Sequence, residues 1–389
     1  MTGSVLHVLK TFRPTFTGAG ILLERMTPIF AALAPTIQHD LLVVETPCPT
    51  VPVEVNSAFR KIVYLQNGNT STWQRELLLL WWLVRNIRQY QVIHFHTHVD
   101  RYFLAYLLAK LFRKRLVLSA TLDDSVPNLV GSYRCAYRPL ISALIRLFDV
   151  FIAISPKLHA ESAAIVGPEN VRMIPIGVAV PAETRHGRQT TRAACGLTDD
   201  DIVLIFVGGI CARKDPLFLV EQMPAIRALC PRSKLVVVGP VLEPDHHEQM
   251  MACVREHRLE NAVLFTGEVR DPYPLLAMAD IMVFASHLEG FGSAVTEGMA
   301  HGLVPVVRHL PGVNDMFIRQ NETGFLFTSA EEYLTALRQL IGDPALRHQI
   351  GAAARSLILA EFDNVRFAHR VLETYRFGRR PADSGEVHV

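Results

Sequence analysis

No stretch of this 389-residue sequence holds the roughly 20 consecutive apolar residues that a membrane-crossing helix needs, although half of its residues are apolar. The opening MTGSVLHVLKTFRP lacks the apolar core of a secretory signal. A protein that spans a membrane is thereby excluded, and one that is soluble or rests on a membrane surface is expected. Net charge is equally scarce. The formal balance of +2 offers no bulk electrostatic reason for nucleic-acid binding. The six cysteines (Cys48, Cys135, Cys195, Cys211, Cys230 and Cys253) form no C-x-x-C pair. They read as reduced thiols of a cytoplasmic protein, which argues against a disulfide framework or a zinc site. Low-complexity tracts and short repeats are absent. A G-x-G-x-x-G after the first strand-like run is absent too; Gly18-Ala19-Gly20 comes too late and lacks a third glycine, which weakens a dinucleotide-dehydrogenase reading.

What the sequence does have is alternation. Short β-branched apolar runs recur at 5–10, 41–46, 92–98, 115–121, 150–155 and 171–178, and again at 201–209, 234–239, 262–267, 281–286, 304–309 and 324–327. Several are apolar on both faces, as parallel strands covered by helices must be. Longer helical patterns separate them, so the expected class is α/β with two doubly wound, Rossmann-like domains. The polar stretch 179–201 marks the linker. Expected boundaries are a first domain at 1–180, a second at 181–360, and at 361–389 a terminal helix that returns to the first domain, with a polar tail. Two such sheets predict a cleft at the carboxyl ends of their strands, where ligands bind.

The segment FASHLEGFGSAVTEGMAHGLVPVV (284–307) reads as strand, glycine loop, helix, strand. Glu289 sits at the strand end and Glu297 eight residues later, inside a helix that starts near Ser293. Gly290 and Gly292 let the backbone approach a ligand, and the helix start offers N–H groups to an anion. Alone, the spacing equally describes a helix cap and a solvated helix residue. A second segment, FVGGICARKDPLFLVEQM (206–223), runs from strand through Gly208-Gly209 to a helix opened by Pro216. Its Arg213 and Lys214 suit a diphosphate at that helix start; a surface basic turn is the plainer reading.

Together these segments resemble glycosyltransferase family 4, the retaining GT-B enzymes. The first resembles its E-G-F-G-x-x-x-x-E-A-M-A-x-G-x-P-V signature, with Gly298 for the usual Ala. The resemblance implies that Glu289 contacts donor-sugar hydroxyls, that Glu297 binds the nucleotide ribose, and that backbone around Phe291, Gly292 and Ser293 faces the diphosphate. The second resembles G-R-x-x-x-x-K-G. Ile210 then stands after the glycine pair where an Arg is usual, with Arg213 as its substitute. VVVGP (236–240) resembles a strand and loop reaching the nucleotide, ending at Gly239, while Gly209 closes the preceding strand. FTGEVRDPYPLLAMADI (265–281) resembles the family's F-x-G-x-V…L-Y-x-x-A-D segment, which implies that backbone near Val269 and Arg270 borders the base, and HLPGVNDMFIRQNETGFLF (309–327) keeps Gly312, Asp315, Thr323 and Gly324 in register with the family.

In the first half, KTFRPTFTGAG (10–20) resembles a glycine loop touching donor phosphate and acceptor, through Gly18 and Gly20; an ordinary βα turn is the alternative. In LVLSATLDDSVPN (116–128), Asp123 stands where relatives carry a His that faces the donor sugar. An acid accepts a hydroxyl's hydrogen bond but offers no cation to a phosphate.

His94, His96 and His98 alternate along one strand and face one side. They fit either a metal cluster or cleft-lining hydrogen bonds, with no metal as the expectation. Asp199-Asp200-Asp201 contains a D-x-D and is expected to be a solvated charge run. From Thr72 to Val150, eleven Lys and Arg meet five Asp and Glu. With LLLLWWLVRNIRQY (77–90), this suits either an anionic membrane surface or a sheet-covering helix.

The resemblance implies a glycosyltransferase moving a sugar from a UDP- or GDP-sugar donor to a glycan or lipid-linked hydroxyl, with retention and no metal. The role implied is bacterial-type cell-surface polysaccharide or glycolipid synthesis, in a cytoplasmic or membrane-peripheral location and without nucleic acid. A sugar-nucleotide epimerase or a non-catalytic nucleotide-sugar-binding protein of the same fold is the alternative.

Overall fold

The computed structural model describes residues 3–15, 17–49, 55, 57–66, 71–96, 102–121, 125–179 and 187–375. The chain divides into two compact units, Met1–Pro175 with Asn364–Val389, and Ile176–Asp363.

The first unit holds β1 (Gly3–Leu9), β2 (Ile37–Pro47), β3 (Lys61–Gln66), β4 (Val92–His96), β5 (Arg115–Ala120), β6 (Val150–Ala153) and β7 (Val171–Met173), in the order β3-β2-β1-β4-β5-β6-β7. The second holds β8 (Ile202–Val207), β9 (Ser233–Val238), β10 (Val263–Gly267), β11 (Ile281–Phe284), β12 (Val304–Arg308) and β13 (Phe325–Phe327), in the order β10-β9-β8-β11-β12-β13. Every pairing is parallel. The strands are apolar on both faces because helices connect them, and β4 and β11 are buried along their whole length. In each sheet the order reverses beside the first strand, between β1 and β4 and between β8 and β11. At such a reversal neighbouring connections leave in opposite directions, and a crevice opens at the strand ends.

Two local expectations are corrected. β3 falls outside the anticipated runs, since it is a half-covered edge strand (KIVYLQ). The run expected over 171–178 pairs with β6 only through Met173; Ile174 still donates to the Ala153 carbonyl at 2.8 Å, Pro175 then has no N–H to continue the ladder, and Val178 forms an isolated bridge with Asp363.

The helix Asn364–Thr374 returns to the first unit. Phe367, Ala368, Val371 and Tyr375 lie on one face at helical spacing and join Leu9, Met26 and Phe30 in its core. Each large apolar side chain buried there contributes on the order of 1.5–3 kcal/mol. In the second unit, Arg192 of the linker helix Arg188–Ala194 is fully buried and donates to the carbonyls of Met278, Thr198 and Asp201 and to the Asp280 carboxylate. Asp201 departs from the expected solvated run: it is buried and accepts from the Thr198 N–H and hydroxyl, while Asp199 and Asp200 stay exposed. Among the described residues no helix is long and apolar enough to cross a membrane.

Candidate functional site

The order reversal of the second sheet gathers the chemistry. β8 runs out into Gly208-Gly209 and β9 into Gly239, whose φ is +142°. A Cβ on Gly239 would stand 2.1 Å from the Gly208 carbonyl oxygen, so the two loop backbones touch and only glycine fits. Gly209 has a packing reason as well, since a Cβ there would meet Leu242 Cδ1 at 2.3 Å. Ile210 is buried, and its N–H donates to the Pro240 carbonyl at 2.8 Å. It is a core residue, and this corrects the expected alignment. Counted back from Lys214, the G-R-x-x-x-x-K-G spacing puts the arginine's place on Gly209, where Leu242 leaves no room for a side chain.

Arg213, Lys214 and Glu289 form one cluster. Glu289 Oε1 accepts from Lys214 Nζ at 2.8 Å, Ser286 Oγ at 2.9 Å and Arg213 Nη1 at 3.1 Å. Its side chain is only 13% exposed, that of Lys214 is 16% exposed, and that of Arg213 is 35% exposed. Burial alone would raise the Glu289 pKa. The Lys214 and Arg213 charges, with hydrogen bonds from Lys214 and Ser286, outweigh it and hold the carboxyl below its ordinary value. Glu289 is therefore an anion at neutral pH. The Lys214 ammonium also lies 4.9 Å from the centre of the Phe284 ring, while its stem runs past Gly208.

Asp215 sets the geometry of this loop, although no sequence pattern gave it a role. It adopts φ +46°, ψ +48°, a left-handed conformation, at the N-cap of the helix Pro216–Glu221, and accepts from Phe218 N at 3.3 Å. Its other oxygen accepts from His287 Nε2 at 3.0 Å and Arg308 Nη2 at 3.1 Å. The His287 N–H in turn donates to the Arg213 carbonyl at 2.9 Å, and Arg213 Nη1 to that of Leu288 at 2.5 Å. These bonds sew the loop after β8 to the loop after β11. The available signal was the glycine expected after the family's Lys, a place whose left-handed conformation Asp tolerates better than most residues.

Gly292, at φ +92°, is the N-cap of the helix Ser293–Ala300, and no side chain caps it. The first amides of this helix, where Gly292 and Ser293 stand, are thus left without a side-chain cap. The Phe291 ring is buried against Phe317 and Phe362, so only its backbone can meet a ligand. Glu297 is half-buried on the same helix. Gly298 fits there because a Cβ would press on Met282 Cγ at 3.1 Å. Just past β10, Val269 is half-buried and Arg270 exposed.

In the first unit, Gly18 is exposed at the first position of the helix Gly18–Leu33. The Gly20 N–H is already taken by the Thr17 hydroxyl at 3.1 Å, an internal cap. A shallow hollow beside it is lined by Phe12, Arg13, Thr15, Thr17, Gly20 and Ile21. Asp123 and His98 lie outside the described residues. His94 and His96 are buried in the sheet, where the expectation had them lining a cleft. His7 Nδ1 is 2.9 Å from His96 Nε2, and His7 Nε2 is 2.9 Å from His39 Nδ1. His94 bonds Ser119 Oγ at 2.7 Å and the Tyr375 hydroxyl at 2.5 Å. Side-chain nitrogens of His7, His94 and His96 lie within 4.8 Å of one another, which is metal-ligand spacing. Yet both nitrogens of His7 and of His94 are already engaged within the protein.

The chain matches known proteins in both halves. The family described as "Glycosyl transferases group 1" matches residues 187–357, and "Glycosyltransferase Family 4" matches residues 32–180. N-acetyl-alpha-D-glucosaminyl L-malate synthase of Bacillus anthracis is 23% identical over 303 residues, covering 76% of this chain and 77% of that protein. Anabaena HepE, solved with UDP and glucose, superposes with a TM-score of 0.75 at 19% identity, over 96% of this chain and 99% of HepE. A glycosyltransferase of Rickettsia africae superposes with a TM-score of 0.77 at 17% identity, over 96% of this chain and 98% of that one. Two parallel sheets of one strand order, matched in turn by these two families, make the chain a member of glycosyltransferase family 4 with the GT-B fold.

Proposed function

We propose that this transferase moves a hexosyl-type group from a UDP- or GDP-sugar to a hydroxyl of a glycan or lipid-linked acceptor, with retention of anomeric configuration. The observation that carries the reading is the Glu289 carboxylate held by Lys214 and Arg213 at the order reversal of the second sheet. All three bonds to that carboxylate reach Oε1, which leaves Oε2 for a donor-sugar hydroxyl. HepE, of the same fold, was solved with UDP and with UDP-glucose, which supports a nucleotide-sugar donor.

In the proposed reaction the bond from the anomeric carbon to the diphosphate breaks, and a bond to the acceptor oxygen forms on the same face. The leaving phosphate takes the acceptor proton, so no side chain serves as nucleophile. Arg213, Lys214 and the amide end at Gly292 and Ser293 meet the charge that develops on the diphosphate. Lys214 exchanges part of its contact with Glu289 for the phosphate as it does so. Glu297 takes the ribose, Gly239, Val269 and Arg270 border the nucleotide, and the scheme uses no metal. The product belongs to cell-surface polysaccharide or glycolipid synthesis.

Thermal shift against UDP-, GDP- and ADP-sugars tests the donor, because a bound donor raises the melting temperature by mass action. Turnover tests the rest. Nucleoside diphosphate release should depend on acceptor and fall sharply in Glu289→Ala. Equal release by wild type and variant with every acceptor tried would sink this transferase mechanism, and acceptor-independent release would point to epimerase or hydrolase chemistry.

A further inference from the structure

The helices Thr72–Asn86 and Phe103–Leu111 pack against each other in the first unit, and the donor site of the second unit uses neither. Ser71 and Gln74 form a capping box that starts the first helix. Its inner face buries Glu76, Leu79, Trp82 and Leu83. Its outer face carries Trp73, Leu77, Trp81 and Val84, spaced by four, four and three residues, which is one continuous stripe. Trp73 is 74% exposed and Trp81 56%. The neighbouring helix repeats the pattern: Ala105, Tyr106 and Ala109 are buried, whereas Leu107 and Leu111 are exposed, the latter by 77%. Two of the three tryptophans in the chain thus stand in solvent, beside the exposed leucines of the adjoining helix.

Charge decides what covers such a face. The only acid in either helix is Glu76, which is buried and turned inward to the Leu104 N–H at 3.4 Å. Basic residues rim the stripes. The Arg85 guanidinium lies 3.6 Å over the Trp81 ring, Arg88 follows 6.0 Å from the Phe112 ring, and Arg113 and Lys114 follow the second helix, whose Lys110 is paired with Asp149 at 2.7 Å. We propose that these paired helices dock the first unit onto an anionic lipid surface. Tryptophan and leucine insert at the headgroup boundary, and the arginines and lysines meet lipid phosphates. The first helix has 15 residues and a length of about 22 Å, too short to cross a bilayer, so it lies in the interface plane. A second copy of the chain fits worse, because a two-fold contact through this face would bring like charges together. The proposal is independent of the donor chemistry.

Flotation with phosphatidylcholine vesicles, with and without phosphatidylglycerol, tests it in the absence of donor and acceptor, so its failure would leave the transferase reading intact. The full chain should float with the anionic vesicles only, less so at high salt. Tryptophan emission should shift to the blue and be quenched by brominated lipid. Arg85→Gln with Arg88→Gln should weaken binding about fivefold for each charge removed. Trp73→Ser with Trp81→Ser should abolish it; both residues are exposed, so the melting curve is expected to stay that of wild type. Failure of the wild type to float would overturn the proposal. So would equal binding to neutral vesicles, or a concentration-dependent dimer that the same tryptophan substitutions dissolve.

Discussion

Each unit buries a polar cluster at its central strands, and the two clusters solve the problem in opposite ways. In the first unit His7, His39, His94 and His96 pass hydrogen bonds among themselves, Ser119 and Tyr375. Burial lowers the pKa of all four, that of His39 to about 4 and that of His96 to about 3, so they are neutral at pH 7. In the second unit Glu289, Lys214 and Arg213 keep their charges and hold one another. The neutral network makes its bonds inside the core, with His39 Nε2 its one buried nitrogen that no described residue meets, and it serves packing. A charged cluster with a partly exposed arginine can trade its internal contacts for a ligand's. Chemistry is therefore assigned to the second unit, and the histidines are given the work of packing.

The largest expected effect separates the two directly. Glu289→Ala should lower transfer about 100- to 1,000-fold, the scale seen when a positioned active-site hydrogen-bonding group is lost. His94→Gln should alter melting more than rate; initial rates and melting curves on the same samples decide, and a greater loss of rate from His94→Gln would reverse the assignment. Next comes Lys214→Met, which leaves a buried carboxylate with Arg213 as its remaining cation. It should destabilise by about 3 kcal/mol, the lower end for breaking a buried pair. Adding Glu289→Gln should restore much of that in urea unfolding.

Acid should act on the units in sequence. A histidine whose folded pKa is depressed gives stability that is complete above about pH 6.5 and lost as pH falls toward the folded value. His39 therefore removes up to about 1.4 kcal/mol per pH unit between pH 6.5 and about 4, and His7, His94 and His96 act in the same direction. Glu289, also depressed, keeps its contribution until pH falls below the ordinary carboxylate range. Hydrogen exchange at pH 5 should deprotect β4 before β11, and the reverse order would contradict this sequence of events. The smallest effect concerns Asp215. Asp215→Gly keeps the left-handed backbone and loses the cap, whereas Asp215→Ala loses both and should cost about 1 kcal/mol more; urea unfolding of the two variants side by side measures the difference.

The strands of both sheets were readable because two-faced apolar runs leave few alternatives. β3 escaped because an edge strand needs only one such face. The candidate site was legible at Glu289, Gly292 and Lys214, where glycine and charge stand in a recognisable pattern. It was illegible at Asp215, whose partners His287 and Arg308 lie 72 and 93 residues away. Gly20 was ambiguous, since glycine at a turn reads the same whether its amide meets a phosphate or a side chain, and in this protein its N–H meets the Thr17 hydroxyl.

By itself, the sequence determined the alternating class, the two-part organisation and the residues that carry charge at the candidate site, because periodicity and local spacing are short-range properties. Only the tertiary structure decided that Arg213 and Lys214 converge on Glu289, that the histidines are buried as a neutral network, and that Trp73 and Trp81 face water. Those outcomes depend on which strand ends meet and which helix face is covered. Contacts between residues far apart in the chain settle both, and local pattern does not encode them.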